Sequence, residues 1–248
     1  MPEILVVNES TVMTDEQVKD IVAALNIQLQ RDFASVWGLG GTVVFWPKAQ
    51  PIPAGKWQLA VLDNSDQAGA LGYHETTIHG DPLGKVFAKD DLNDGASVSV
   101  TMSHELLEMR ADPRINQSAE NDNPNGSIRF YAWEVGDAVE DDPYGYEITT
   151  PDGKAILVSD FVTPLWFDSA DQTSGPYDFR SHVKKPLELL PNGYIGILDA
   201  GSGAGWTQLT DRFDSHEKEL RSVPKPGSRR QRRAMGRQNW RKSTAHTL

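Results

Sequence analysis

The residues best placed to do chemistry lie together in Ser103-His104-Glu105-Leu106-Leu107-Glu108-Met109. On a helix, His104 and Glu108 fall four residues apart, on one face and one turn from each other, with Glu105 one step round. A nitrogen donor, an oxygen donor and an adjacent free carboxylate make up the set a hydrolytic zinc site uses. The familiar zinc-peptidase pattern is H-E-x-x-H. Here glutamate stands in place of the second histidine, and a carboxylate oxygen is also a good zinc ligand. H-E-x-x-E also arises by chance on solvated helix faces, as an i,i+4 pair. Val98, Val100, Met102, Leu106, Leu107 and Met109 argue instead for a buried helix, where a histidine and two glutamates need partners.

Two ligands do not complete a catalytic zinc site, which takes three from protein and one from water. The best third ligand is Glu134, in Trp133-Glu134-Val135-Gly136-Asp137, 26 residues beyond Glu108. It sits among Phe130, Tyr131, Trp133 and Val135, where an uncompensated carboxylate is costly and a cation removes the cost. The expectation is therefore one zinc ion on His104, Glu108 and Glu134, with Glu105 as general base. Asp137 supports the ligands, by accepting from His104 or by orienting Glu134. Asp112, a further turn beyond Glu108, is the rival for that supporting role. Tyr131, Tyr144, Tyr146, His74 and His79 are candidates for holding an oxyanion or substrate, and the sequence does not choose among them. His74 and His79 lie in Ala68 to Asp81, which carries Gly69, Gly72 and Gly80 and reads as loop-like. There they suit a polar turn or a substrate cleft better than metal ligation.

His104-Glu105-x-x-Glu108 followed by Glu134-x-x-Asp137 resembles a variant of the zincin metallopeptidases. The nearest type is the gluzincins, whose third ligand is a glutamate and in which a nearby aspartate supports a ligand histidine. The resemblance implies an edge strand for a peptide or protein substrate, ahead of the active helix. Glu108 replaces the usual second histidine, and the spacing to Glu134 is not the common gluzincin one. Ser103 to Met109, Glu134-Val-Gly-Asp-Ala-Val-Glu140 and Phe161-Val-Thr-Pro-Leu-Trp-Phe167 also resemble a group of uncharacterised phage and prophage proteins. That likeness covers roughly residues 55–205 and implies a viral or prophage setting.

The elements that must position these residues follow from pattern. Glu3 to Asn8 reads as a first strand. Thr14 and Gln17 form a capping box, and Val18, Ile21, Val22, Leu25 and Leu29 recur at helical spacing over 15–34. Thr42–Trp46, Trp57–Asp63 and Lys85–Ala88 read as strands. The H-E-x-x-E helix spans about 97–111 and is stopped by Pro113. Arg129 to Val135 is strand or short helix. Glu147 to Phe167 is a hairpin turning at Pro151-Asp152-Gly153, with Val158 to Val162 in its return arm. Gly193 to Leu198 is a short strand or turn, and Leu209 to Leu220 has helical character. Asn121 to Gly126 resembles half of a calcium loop, but Asn stands first and Ala132 twelfth, so it reads as a turn. Glu140-Asp141-Asp142 is a solvated acidic loop. Gly201 to Gly205 lacks a dinucleotide-binding spacing.

The 248 residues include no cysteine, which excludes disulfides, thiol nucleophiles and thiolate-held zinc. No apolar run approaches membrane-spanning length, and no secretory signal is read at the start. These features suit the cytoplasm of a producing cell, or a virion. Residues 221–248 hold nine of the 24 basic residues and no acid, leaving 15 against all 35 acidic residues in the body, a net of −20. The fold class expected is α+β: one zincin-like domain over 1–220, with a mixed or antiparallel sheet packed on the N-terminal and H-E-x-x-E helices. The separate basic tail, 221–248, is either a solvated, disordered extension or a docking arm for nucleic acid or an acidic protein surface. A zinc-dependent peptidase is the first functional reading. The alternative is a phage structural or accessory protein that keeps the fold without catalysis and docks through the tail.

Overall fold

A computed structural model describes residues 1–66, 70–122, 126–170, 173–203 and 205–210. β1 (Glu3–Asn8) leads to α1 (Asp15–Ile27), a π-helical turn (Gln28–Phe33) and α2 (Ala34–Trp37). Thr14 and Gln17 cap α1 reciprocally, side chain to backbone in both directions, a device worth about 1 kcal/mol. Gly38, at φ 67°, ends α2 in the left-handed region. β2 (Thr42–Trp46), β3 (Trp57–Leu62), β4 (Gly72–Thr76) and β5 (Pro82–Phe87) complete a five-stranded sheet ordered β2-β1-β3-β5-β4. β2, β1, β3 and β5 run parallel; β4 pairs antiparallel with β5 and forms an edge. The sheet is thus mixed, and the fold is α+β.

α3 (Ala88–Asp94) and α4 (Val98–Ala111) follow. α4 is buried nearly all round. Its Met102, Leu106, Leu107 and Met109 share one core with Ile4, Val6, Leu59, Val61 and Val86 of the sheet and with the apolar stripe of α1. The helices near 15–34 and 97–111 therefore pack together on the sheet as the patterns imply, the first interrupted by the π turn. Beyond α4, β6 (Ser118–Asp122), β7 (Ile128–Ala132), β10 (Tyr194–Asp199) and β11 (Thr207–Thr210) build an antiparallel sheet in the order β11-β10-β7-β6. Between these strands, β8 (Tyr146–Thr149) and β9 (Ala155–Val158) form a hairpin.

Three local expectations change and one open reading is resolved. Ala68–Asp81 is not a loop throughout, because Gly72–Thr76 pairs with Pro82–Phe87 as β4. The return arm of the hairpin is Ala155–Val158 rather than Val158–Val162, since Pro151 to Lys154 suffices for the turn. Arg129–Val135 resolves as a strand, ending at Ala132. Leu209 lies in β11, not in a helix, because its backbone pairs with Ile195. The remainder of that segment and the basic tail lie outside the described residues. Among those described, no helix is long and apolar enough to cross a membrane.

Candidate metal centre

α4 places His104 and Glu108 on one face as the spacing requires, with His104 Nε2 3.1 Å from Glu108 Oε1. A buried relay seats the helix. Ser103 Oγ donates to Gln28 Oε1 at 2.7 Å, Gln28 Nε2 donates to the Ser159 carbonyl at 2.8 Å, and the Ser159 amide donates to Ser103 Oγ at 3.0 Å. The relay begins where α1 passes into the π turn, so that irregularity points Gln28 at the residue preceding His104. The Ser97 amide, at the start of α4, donates to Asp142 Oδ2 at 2.9 Å. Asp142 is thereby engaged in seating the helix.

The segment after β7 closes over the same face. The Gly136 amide donates to Glu108 Oε1 at 3.2 Å, and Asp137 Oδ1 stands 3.4 Å from His104 Nε2. His104, Glu108 and Asp137 form one buried group of donor atoms. Ligands held about 2.0–2.1 Å from a tetrahedral zinc stand roughly 3.3 Å apart, which matches the 3.1 and 3.4 Å separations from His104 Nε2. Glu134, expected as the third ligand, has its Oε2 3.7 Å from His74 Nε2. Asp137, expected as a support, occupies the ligand-like position.

His74 comes from β4. Alternation along the strand puts Gly72 and His74 on the α4 side, while Tyr73 faces Phe87 and Ala70 on the other. His74 Nδ1 is 3.7 Å from both Glu105 Oε2 and Glu108 Oε2, and these three residues form a second buried donor group. Gly72 is required there: a Cβ would lie 2.8 Å from Thr101 Cγ2 and 2.9 Å from Glu105 Cγ. Burial alone opposes protonation of His74, but the carboxylates of Glu134, Glu105 and Glu108 outweigh it and its pKa is raised.

Asp112 accepts from the Asn116 and Gln117 amides, both at 3.0 Å, and so shapes the turn after α4. Burial and the Glu134 charge nevertheless push its pKa up. The tyrosines make other contacts. Tyr146 donates to Asp32 Oδ2 at 2.9 Å, Tyr144 packs on the His182 ring, and Tyr131 meets Trp166 edge-on and interacts with Arg129. His79 is exposed in the turn between β4 and β5. Among the candidates for holding an oxyanion, His74 is brought to the carboxylates.

Gly136 offers a test of how the imidazole is held. Its φ is −97°, so no left-handed backbone demands glycine. A Cβ, however, would lie 2.7 Å from His104 Nδ1. Gly136→Ala should displace the ring, lower metal affinity at least tenfold and cost about 1–3 kcal/mol of stability. Calorimetric zinc titration and thermal unfolding check this; unchanged affinity would show that Gly136 does not set the ring position.

A third acidic group, Asp160, Asp178 and His182, differs in kind. Backbone amides take three of its four carboxylate oxygens: Phe161 and Arg180 donate to Asp160 Oδ1, and His182 and Val183 donate to the two oxygens of Asp178. Burial and the hydrogen bond with Asp178 push Asp160 up to about 9. Its folded pKa exceeds its unfolded one, so its stabilising contribution is fully present below about 3.8 and is lost as pH rises through about 9. Asp160→Asn keeps the acceptor and removes the titration. It should raise stability at pH 9 by about 1 kcal/mol or more relative to the parent, with little gain at pH 5, as measured by thermal melts at the two pH values.

Comparison of the chain with protein-family models, with curated proteins and with solved structures gives no match.

Proposed function

We propose that this protein is a zinc-dependent hydrolase of metallopeptidase type, with one ion held by His104 Nε2, Glu108 Oε1 and Asp137 Oδ1. The observation that carries this reading is the ligand-like spacing of His104 Nε2 from Glu108 Oε1 and from Asp137 Oδ1 within one buried donor group, beside a glutamate one position from the ligand histidine. An ion bound there would supply Lewis acidity toward water and a substrate carbonyl.

The chain's own groups do the rest. Glu105 takes a proton from the attacking water as the new C–O bond forms, and returns it to the leaving nitrogen as the C–N bond breaks. Its side chain is packed against Gly72 of β4. Glu134 Oε2 faces His74 Nε2 at 3.7 Å. Five strands precede α4, and β4 is an antiparallel edge beside the site, an arrangement that agrees with the zincin resemblance and offers a strand for a peptide to pair with.

One observation favours a second reading. His74, His104, Glu105, Glu108, Glu134 and Asp137 are all buried, none more than 6% exposed. That enclosure suits a metal held for stability in a non-catalytic protein of the phage structural or accessory kind, with the basic tail as docking arm. Elemental analysis of the purified full chain tests the shared premise. At least one zinc per chain should survive dialysis, and Asp137→Ala should lose one equivalent that Glu134→Ala retains. A chain without metal, whose stability ignores both substitutions, would overturn both readings.

A further inference from the structure

We infer that the centre is binuclear, with Glu108 bridging two divalent cations. The second cation lies between His74 Nδ1, Glu105 Oε2 and Glu108 Oε2. The inference rests on the mononuclear reading for the first cation and adds a position to it.

The two oxygens of Glu108 face different histidines. Oε1 is 3.1 Å from His104 Nε2, and Oε2 is 3.7 Å from His74 Nδ1. The two donor groups share Glu108 and no other residue. A carboxylate whose oxygens serve different nitrogen donors is placed to bridge.

His74 supplies the independent observation. It is 6% exposed, and neither ring nitrogen has a hydrogen-bond partner. A buried imidazole so placed bears the desolvation cost of each unmet polar atom. Yet both nitrogens point at carboxylate oxygens 3.7 Å away, Nδ1 at Glu105 and Glu108 and Nε2 at Glu134. That distance is too long for a hydrogen bond, and on the Nδ1 side a cation between the three atoms would supply the missing partner. With Nδ1 as donor atom, Nε2 faces Glu134 Oε2 on the far side of the ring. Glu105 then contributes Oε2 to the second cation, while its Oε1 stands on the side of Gly72.

Glu105, Glu108, Glu134 and Asp137 are four buried carboxyl groups, and in their ionised form two divalent cations would balance them. A harder ion such as Mn2+ suits this oxygen-rich second position as well as zinc does.

The full chain, stripped with a chelator, is titrated with zinc by calorimetry and separately loaded with Mn2+ for electron paramagnetic resonance. The parent should take two zinc per chain and give the exchange-coupled spectrum of a carboxylate-bridged Mn2+ pair. His74→Ala should take one zinc and lose the coupling, and Glu108→Gln should weaken both equivalents at least tenfold. One equivalent in the parent would overturn the second position and leave the mononuclear centre standing. Two equivalents in His74→Ala would overturn the role of His74. No binding at all would overturn the mononuclear reading with it. Should His74→Ala fail to fold, the parent's stoichiometry and spectrum decide the matter alone.

Discussion

Glu105→Gln should lower hydrolytic turnover by about 10²–10⁴-fold, the range a positioned general base supplies, without unfolding the protein. The substitution is nearly isosteric, so the fit against Thr101 and Gly72 is kept, and the amide cannot take a proton from water. Glu105 is not among the atoms grouped with His104, so the ion at His104, Glu108 and Asp137 should remain at full stoichiometry. The measurement is cleavage of labelled casein and of quenched peptide pools by parent and variant, with metal content and circular dichroism on the same samples. A variant as active as the parent removes Glu105 from the chemistry. A parent that binds zinc but cleaves nothing in these pools favours the structural reading suggested by the enclosure of the site.

Stripping the metal should destabilise the chain almost as strongly as catalysis depends on Glu105. A ligand held at a thousand times its Kd adds about 4 kcal/mol to stability, which for a domain of this size is roughly 10 °C in Tm. The pH dependence should change as well. In the stripped protein the carboxylates around His74 raise its pKa above the ordinary 6.5. Its contribution is then fully present below about 6.5 and disappears as pH rises through the folded value. The stripped chain should therefore melt at higher temperature at pH 6 than at pH 8.5. In the loaded chain a cation-bound His74 cannot take up that proton, and this dependence should flatten. Equal melting temperatures with and without chelator would leave the centre without a metal role.

The motif on α4 was legible because it is local. Four residues of helical spacing determine that His104 and Glu108 share a face, whatever the rest of the chain does. The apolar residues around them showed that the helix is buried, and the capping box of Thr14 and Gln17 marked the start of α1 for the same short-range reason. The position of His74 was not legible. Gly69, Gly72 and Gly80 made its segment look like a loop, whereas Gly72 stands in a strand because Thr101 and Glu105 leave no room for a Cβ. The alternation of Gly72 and His74 against Tyr73 was the available signal, and it is too short to outweigh three glycines.

Asp137 and Glu134 show the same boundary at the level of roles. The residue pattern was enough to imply a buried helix carrying a histidine and two glutamates, and acidic residues near Trp133 that meet it. Which acid faces which histidine follows from the way the segments pack. Between β7 and the short helix starting at Asp137 there is no repeat to set side-chain direction. The turn at Gly136, pressed on the His104 ring, sends Asp137 to His104 and leaves Glu134 by His74.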